Sequence, residues 1–221
     1  MKKFKLTDVL MWGHLILALP FWWSQLSHMW TLSMQGVSIS NYIITEIALL
    51  INFYLVVKMH GSSGSRLTIQ ILVIYILGFV TYASFIVAMY IKDIGVWDQK
   101  DWITLGLVIS LLIITTLVFW LRKHKIYNTL SDPLQKGIYS AMVRAAPQIV
   151  WAWKVYTDGG AGLDPIMILA FHLMTNIRIF QTILTIREYG LDRNRKGLLI
   201  AEIATETSMI LVTIIWAMQK F

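Results

Sequence analysis

The chain of 221 residues contains no cysteine, only four prolines and few charged residues, which make up 14% of it. The absence of cysteine excludes disulfide bonds, thiolate metal sites and cysteine nucleophiles. The H-E-x-x-H, G-x-S-x-G and P-loop patterns are also absent, so no motif favours a membrane hydrolase or an NTPase. Hydrophobic residues make up 57% of the chain, more than is usual in a soluble domain. We therefore predict an integral membrane protein that is not an enzyme and holds no cofactor or metal.

Seven apolar runs are each long enough for one transmembrane helix, which needs about 20 mainly apolar residues. The alternating segments of roughly ten residues that are typical of membrane barrels do not occur. We predict an all-α membrane fold with seven transmembrane helices and almost no domain outside the bilayer. The predicted spans are 6–23, 41–57, 67–91, 103–121, 137–155, 165–186 and 198–218.

The net charge of +7 comes from basic residues that are spread over several short loops. No soluble domain collects them into a groove, so we expect no nucleic acid partner. Most lie on the same side of the predicted bundle as the N-terminus, which the positive-inside rule places in the cytoplasm. We expect a multi-pass protein of a bacterial inner membrane. The basic residues on the predicted cytoplasmic side are Lys2, Lys3, Lys5, Lys58, Arg66, Arg122, Lys123, Lys125, Lys136, Arg187, Arg193, Arg195 and Lys196.

One pattern occurs twice in the chain. The run Ser24-Gln25-Leu26-x-x-x-Trp30 returns 123 residues later as Pro147-Gln148-Ile149-x-x-x-Trp153, and each copy leads through a polar turn into another apolar span. A duplicated unit with polar groups inside its spans is typical of a transporter. Beyond the turns, the aligned polar residues at an offset of 126 are Glu46 with His172, and Asn52 with Arg178.

The repeat divides the chain into a three-helix unit at 1–91, a linker helix with its flanking loops at 92–136, and a second three-helix unit at 137–221. Because one helix separates the two units, each begins on the same side of the membrane. They are therefore predicted to be parallel repeats around an axis normal to the bilayer.

The order of three, one and three helices, with Pro147-Gln148 in the fifth span and a degenerate Ser24-Gln25 in the first, resembles the PQ-loop superfamily. That superfamily includes the SWEET sugar transporters, the cystinosin-type amino-acid exporters and the KDEL receptor. Those relatives place the N-terminus on the non-cytosolic side, whereas the charges of this chain predict the reverse.

The resemblance implies roles for four residues. Pro147 and its displaced counterpart Pro20 would be hinges at which helices bend between two states, because proline removes one helical hydrogen bond. Asn52 and Asn176 would contact the substrate from the two units.

Ionisable residues inside the spans are the strongest sign of function, since each costs ~2.5–3.5 kcal/mol on insertion scales. Charges at this depth are expected to converge and neutralise one another. The residues are Glu46, Arg144, Arg178, Glu202 and Glu206.

Glu202 and Glu206 are four residues apart, which places both carboxylates on one face of a helix. Two close acids repel when both are ionised, so we expect one to stay protonated and to exchange a proton during transport. In the alternative interpretation, Glu202 is a surface group near Arg193 and Arg195.

Arg144, Gln148 and Trp151 share one face of the fifth span. A guanidinium beside an amide suits a carboxylate or a phosphate, so these residues are candidates for binding an anionic group. The alternative is that Arg144 is the structural partner of Glu46 or Glu206.

His172, Thr175 and Asn176 share one face of the sixth span, while Arg178 points elsewhere. An asparagine amide donates and accepts hydrogen bonds, which suits sugars, amino acids and nucleosides alike. Hydrogen bonding between helices is the alternative role of Asn52 and His172.

These observations predict a transporter that moves a small polar solute by alternating access, with proton coupling as a second hypothesis. The competing class is a membrane receptor or accessory protein that binds a peptide, a lipid headgroup or a partner in the same cavity. A third class, an enzyme acting on a lipid-linked substrate with two carboxylates as acid and base, also stays open. The expected partners are the solute, membrane lipid and, in a homo-oligomer, a second copy of the chain.

Overall fold

A computed structural model describes residues 6–32, 34–60, 66–92, 97–121 and 132–220. The described part is entirely helical, with seven helices and no strand, which confirms the predicted all-α class. Most of the basic residues behind the orientation prediction lie outside the described residues or have side chains that are not described. They are Lys2, Lys3, Lys5, Lys58, Arg66, Arg122, Lys123 and Lys125. The helices are α1 Leu6–Thr31, α2 Ile39–His60, α3 Arg66–Ile91, α4 Gln99–Leu121, α5 Pro133–Asp158, α6 Pro165–Tyr189 and α7 Arg193–Lys220.

Five of the seven helices contain a stretch long and apolar enough to cross a membrane, namely α1, α3, α4, α6 and α7. Within the described side chains, the apolar stretch of α2 is Ile39–Tyr54, which is shorter. Helix α5 is not among the five, and it carries Gln135, Lys136, Arg144 and Gln148 along its length. The seven helices agree with the predicted number, whereas length and composition support five of them as spans.

The outer faces of the bundle carry large apolar side chains. Ile16 is 64% exposed, Tyr90 82% and Leu169 60%. Soluble proteins rarely expose apolar surface of this extent, so these faces indicate contact with lipid. The chain is therefore an α-helical membrane protein.

Helices α5 and α6 begin with the same arrangement of an aspartate followed by proline. The Asp132 side chain accepts from the backbone N–H of Leu134, and the Asp164 side chain accepts from two backbone N–H groups at the start of α6. Proline at the first helical position lacks the N–H that would stay unpaired there. Both helix starts are thus fixed by local sequence.

The helices pack in two corresponding sets. Helix α3 packs against α1 and α2, and α7 packs against α5 and α6. Between the sets, α1 packs against α6 and α2 against α5, while α4 packs against α2 and α5. The centre of the bundle is therefore surrounded by helices from both halves of the chain.

An aromatic cluster fills the bundle on one side of its centre. The ring of Tyr42 lies 5.2 Å from that of Phe85, 5.8 Å from that of Tyr82 and 6.0 Å from that of Trp151. Phe21 adds a ring from α1 at 6.0 Å from Phe85. The cluster joins α1, α2, α3 and α5 in one apolar layer.

Helices α5 and α7 approach each other most closely near their N-terminal ends. A Cβ atom added to Gly137 would lie 2.3 Å from the Cα of Gly197. A Cβ atom at Gly197 would lie 2.4 Å from the carbonyl oxygen of Pro133. Only glycine fits this crossing, and the crossing aligns the polar faces of the two helices.

Candidate functional site

A central cavity of about 140 Å³ lies between six of the helices, from α1 to α3 and from α5 to α7. The aromatic cluster bounds it on one side, through Phe21, Tyr42, Tyr82 and Trp151. Four of the predicted site residues line this cavity, namely Arg144, Gln148, Arg178 and Glu202. The polar faces predicted on the fifth and seventh spans therefore meet in one place.

Three of these residues form a buried ionic group. The Glu202 side chain is only 4% exposed, and its Oε1 lies 3.3 Å from Nη1 of Arg144 and 2.6 Å from Nη2 of Arg178. The alternative that placed Glu202 on the surface is therefore wrong. The expected structural partners of Arg144, Glu46 and Glu206, are also wrong, because the close α5–α7 crossing brings Glu202 to it.

A second cavity of about 60 Å³ adjoins the first and shares Tyr75 and the ionic group with it. It extends toward the starts of α5 and α7, where Lys136 and Asn194 line it. Asn52 also lines this second cavity, and its amide donates to the carbonyl oxygen of Ala48 in its own helix at 2.8 Å.

Glu206 belongs to a separate polar group between α6 and α7. Its Oε1 lies 2.8 Å from Nδ1 of His172 and accepts from the amide of Asn176 at 2.9 Å. The other ring nitrogen of His172 lies 2.8 Å from the Thr213 hydroxyl. Among the described residues that line either cavity, His172, Asn176 and Glu206 are absent. The structure thus places Asn52 and Asn176 apart, and it separates Arg178 from His172 as predicted.

Two polar side chains of α2 are incompletely hydrogen-bonded among the described residues. The hydroxyl of Tyr42, which lines the cavity, is buried without a partner, and so is Oε2 of Glu46. Gln148 is 5% exposed, and its Oε1 accepts from the Ser208 hydroxyl at 2.5 Å. Buried polar groups normally have partners, so the hydroxyl of Tyr42 is an exception among the described residues.

The two prolines predicted as hinges lie in different environments. Pro147 is buried within α5 beside the cavity, whereas Pro20 is exposed on the outer face of α1. Both helices continue through their prolines. Whether the helices bend there stays a prediction.

The two repeated turns are interlocked, a feature that the sequence alone did not reveal. Gln25 donates to the carbonyl oxygen of Gly162 at 2.9 Å and accepts from the N–H of Asp164 at 3.1 Å. In the opposite direction, the Trp151 indole donates to the carbonyl oxygen of Gly36 at 2.7 Å. Gly36 has φ +76°, and a Cβ atom there would lie 2.0 Å from the Gly159 carbonyl oxygen. Each half of the chain therefore binds the turn of the other half.

His28 extends this exchange. Its Nε2 donates to the carbonyl oxygen of Ala161 at 2.7 Å. His28 and Trp151 are 123 residues apart, which is the offset of the repeated motif. The two aligned rings thus each donate to a backbone carbonyl oxygen in the turn of the other half. An alignment of the two halves of the sequence around position 28 would have pointed to this pair.

Asp101 at the start of α4 forms a second connection at the same end of the bundle. It is fully buried, and its Oδ1 accepts from Ser38 Oγ at 3.2 Å, Ser40 N–H at 3.0 Å and Ser40 Oγ at 2.6 Å. Its Oδ2 accepts from Lys154 Nζ at 3.1 Å, and the same ammonium lies 2.7 Å from Asp98. The linker helix therefore joins α2 of one half to α5 of the other.

Asp98 lies before α4 and its pKa reflects this network. Partial burial raises the pKa of its carboxyl, but the hydrogen bonds from Lys154 and from the Asp101 N–H, with the Lys154 charge, lower it below its ordinary value overall. Asp98 is therefore a carboxylate that the fold holds ionised.

No family model matches the chain, and neither a curated protein nor a solved structure matches it. The function must therefore be argued from the cavity, the ionic group and the interlocked turns.

Proposed function

We propose that the protein moves a small polar solute across a membrane by alternating access between two three-helix units of the PQ-loop type. The units comprise α1 to α3 and α5 to α7, and α4 connects them. In this proposal all seven helices cross the bilayer, α2 and α5 being covered by the other helices over much of their polar surface.

The observation that carries the proposal is the contrast between the two ends of the bundle. At one end, the turns at 34–38 and 159–164 are locked together by backbone and side-chain hydrogen bonds. Beyond the aromatic cluster, the charged cavity continues into the second cavity toward the starts of α5 and α7. A central polar site that is closed on one side is what one state of an alternating-access transporter requires.

The packing of the helices gives further support. The contacts within the two units correspond when α1 is matched with α5, α2 with α6 and α3 with α7. Every helix–helix contact within the first unit then has its counterpart within the second unit. The contact of α1 with α6 becomes that of α5 with α2. Parallel repeats around an axis normal to the membrane have this symmetry.

Flux into proteoliposomes tests the proposal. The purified protein should take up at least one of radiolabelled benzoate, alanine and glucose with saturable kinetics. Binding of these compounds without flux would favour the competing class, a receptor that uses the same cavity.

Because the chain has no cysteine, the closed end can be locked chemically. The Gln35 amide donates to the backbone carbonyl oxygen of Asp158 at the end of α5, so Gln35→Cys and Asp158→Cys place two thiols on neighbouring segments of the two halves. A short bifunctional methanethiosulfonate reagent should stop flux in the double variant, and dithiothreitol should restore it. The two single variants are the controls, and flux that continued through the linked protein would contradict alternating access at this end.

A further inference from the structure

The central cavity contains more positive than negative charge. Its charged residues within the described part of the chain are Arg144, Arg178 and Glu202. Both guanidinium groups contact the same carboxylate oxygen, Oε1 of Glu202. His14 also lines the cavity, and its imidazole adds no negative charge in either protonation state. Among the described residues, one positive charge is therefore left without a counter-ion.

The nearest other acids do not supply that counter-ion. Glu206 is bound to His172 and Asn176, and neither Glu206 nor Glu46 belongs to the described residues that line the cavity. Lys136 in the adjoining cavity adds a further positive charge toward the start of α5. An uncompensated charge in a low-dielectric site is unfavourable, so the cavity favours an anion.

The shape and walls of the cavity restrict that anion. Its volume of about 140 Å³ is close to that of an engineered protein cavity of roughly 150 Å³ that binds benzene. Most of the wall area is apolar or aromatic, with Phe21, Trp151 and Phe171 among the lining residues. A sugar would leave most of its hydroxyls unpaired against such walls.

We propose that the solute is a small organic anion with one carboxylate and a compact apolar body, and that Arg144 and Arg178 bind the carboxylate. Two guanidinium groups offer several N–H donors in a planar arrangement that matches a carboxylate. Binding of the anion can be tested on its own. The proposal rests on the transport function only for the claim that the bound anion is then carried across the membrane.

Benzoate and benzamide separate charge from shape, since they differ only in replacing the carboxylate with a neutral amide. Binding to the purified full-length protein is measured by the change in tryptophan fluorescence, because Trp151 lines the cavity. We expect benzoate to bind roughly ten- to a hundredfold more tightly than benzamide, which is the range for charge-assisted hydrogen bonds. Equal affinities would overturn the proposal.

Two variants should change benzoate binding in opposite directions. Arg144→Gln removes the surplus positive charge and leaves Arg178 paired with Glu202. The affinity for benzoate should therefore fall to that for benzamide. Glu202→Gln removes the carboxylate that competes for both guanidinium groups, so the affinity for benzoate should rise. Benzamide binding should stay unchanged in both variants, and thermal unfolding checks that each is folded. A change of benzoate affinity in the same direction in both would overturn the proposal.

Flux and binding distinguish this inference from the transport function. Benzoate that binds with the predicted charge dependence but is not taken up by proteoliposomes would support the anion site and contradict transport. Uptake of alanine or glucose by a protein that does not distinguish benzoate from benzamide would support transport and contradict the anion site.

Discussion

Substitution of Asp101 by asparagine should destabilise the protein strongly, although the residue lies in the helix that connects the two units. The carboxylate is fully buried and accepts hydrogen bonds from Ser38, Ser40 and Lys154. An asparagine of the same size removes the negative charge and turns one N–H donor toward the ammonium. The change leaves Lys154 with Asp98 as its remaining acidic partner.

The magnitude follows from that arrangement. Removal of one partner from a buried ion pair costs about 3–5 kcal/mol, and the remaining contact of Lys154 with Asp98 favours the lower end, about 3 kcal/mol. For a chain of 150–250 residues, each kcal/mol lowers the melting temperature by roughly 2–4 °C. We therefore expect Asp101→Asn to melt roughly 6–12 °C below the unmodified protein.

Thermal unfolding in one detergent, followed by tryptophan fluorescence, measures this difference. Asp158→Asn is the matched control, because Asp158 pairs with Lys100 while 34% of its side chain is exposed. Exposed pairs contribute about 0–1 kcal/mol, so the control should melt less than about 4 °C lower. Equal shifts in the two variants would refute the assignment of Asp101 as the buried connection between α2, α4 and α5.

Four further outcomes are expected. Gly137→Ala should destabilise the protein by about 1–3 kcal/mol through overpacking at the α5–α7 crossing. Gly106→Ala, which has no neighbour within 4 Å of an added Cβ, should instead raise stability by up to about 1 kcal/mol in the same melting assay, because alanine favours the helix more than glycine does. Asp132→Ala should cost about 0.5–2 kcal/mol, because α5 loses its N-cap, and Asp132→Asn, which can still cap, should cost less. Stability should fall as the pH drops below about 4. The pKa of Asp98 and that of Asp132 lie below their ordinary values, and such carboxylates stabilise the fold only while ionised. An unchanged melting temperature between pH 6 and pH 3 would contradict this. On the proton-coupling hypothesis, Glu206→Gln should abolish the pH dependence of solute flux, and an unchanged dependence would exclude Glu206 as the coupling residue.

The existence of the helices could be predicted from apolar run length, but their ends could not. Helix α1 continues to Thr31, eight residues beyond its predicted span. The added turns carry Gln25 and His28, whose polar groups are satisfied by the distant 159–164 turn. Apolar content cannot show such contacts, because they join residues more than 130 positions apart.

The site residues were predictable by type but not by partner. A search for ionisable residues within spans found Arg144, Arg178 and Glu202, which the structure brings together. Which of Glu46, Glu202 and Glu206 pairs with Arg144 depends on the close approach of α5 and α7. No pattern in the single sequence predicts that approach. Asp101 was missed because the predicted fourth span began after it, at residue 103.

The reciprocal bonds between the turns have a consequence for kinetics. The turn at 34–38 is held by Trp151, and the turn at 159–164 is held by Gln25 and His28. Neither turn can leave its place while the helix of the opposite half stays where it is. In the proposed alternating-access cycle, opening of this end should therefore be one cooperative event, so a reporter placed on either turn should record the same rate.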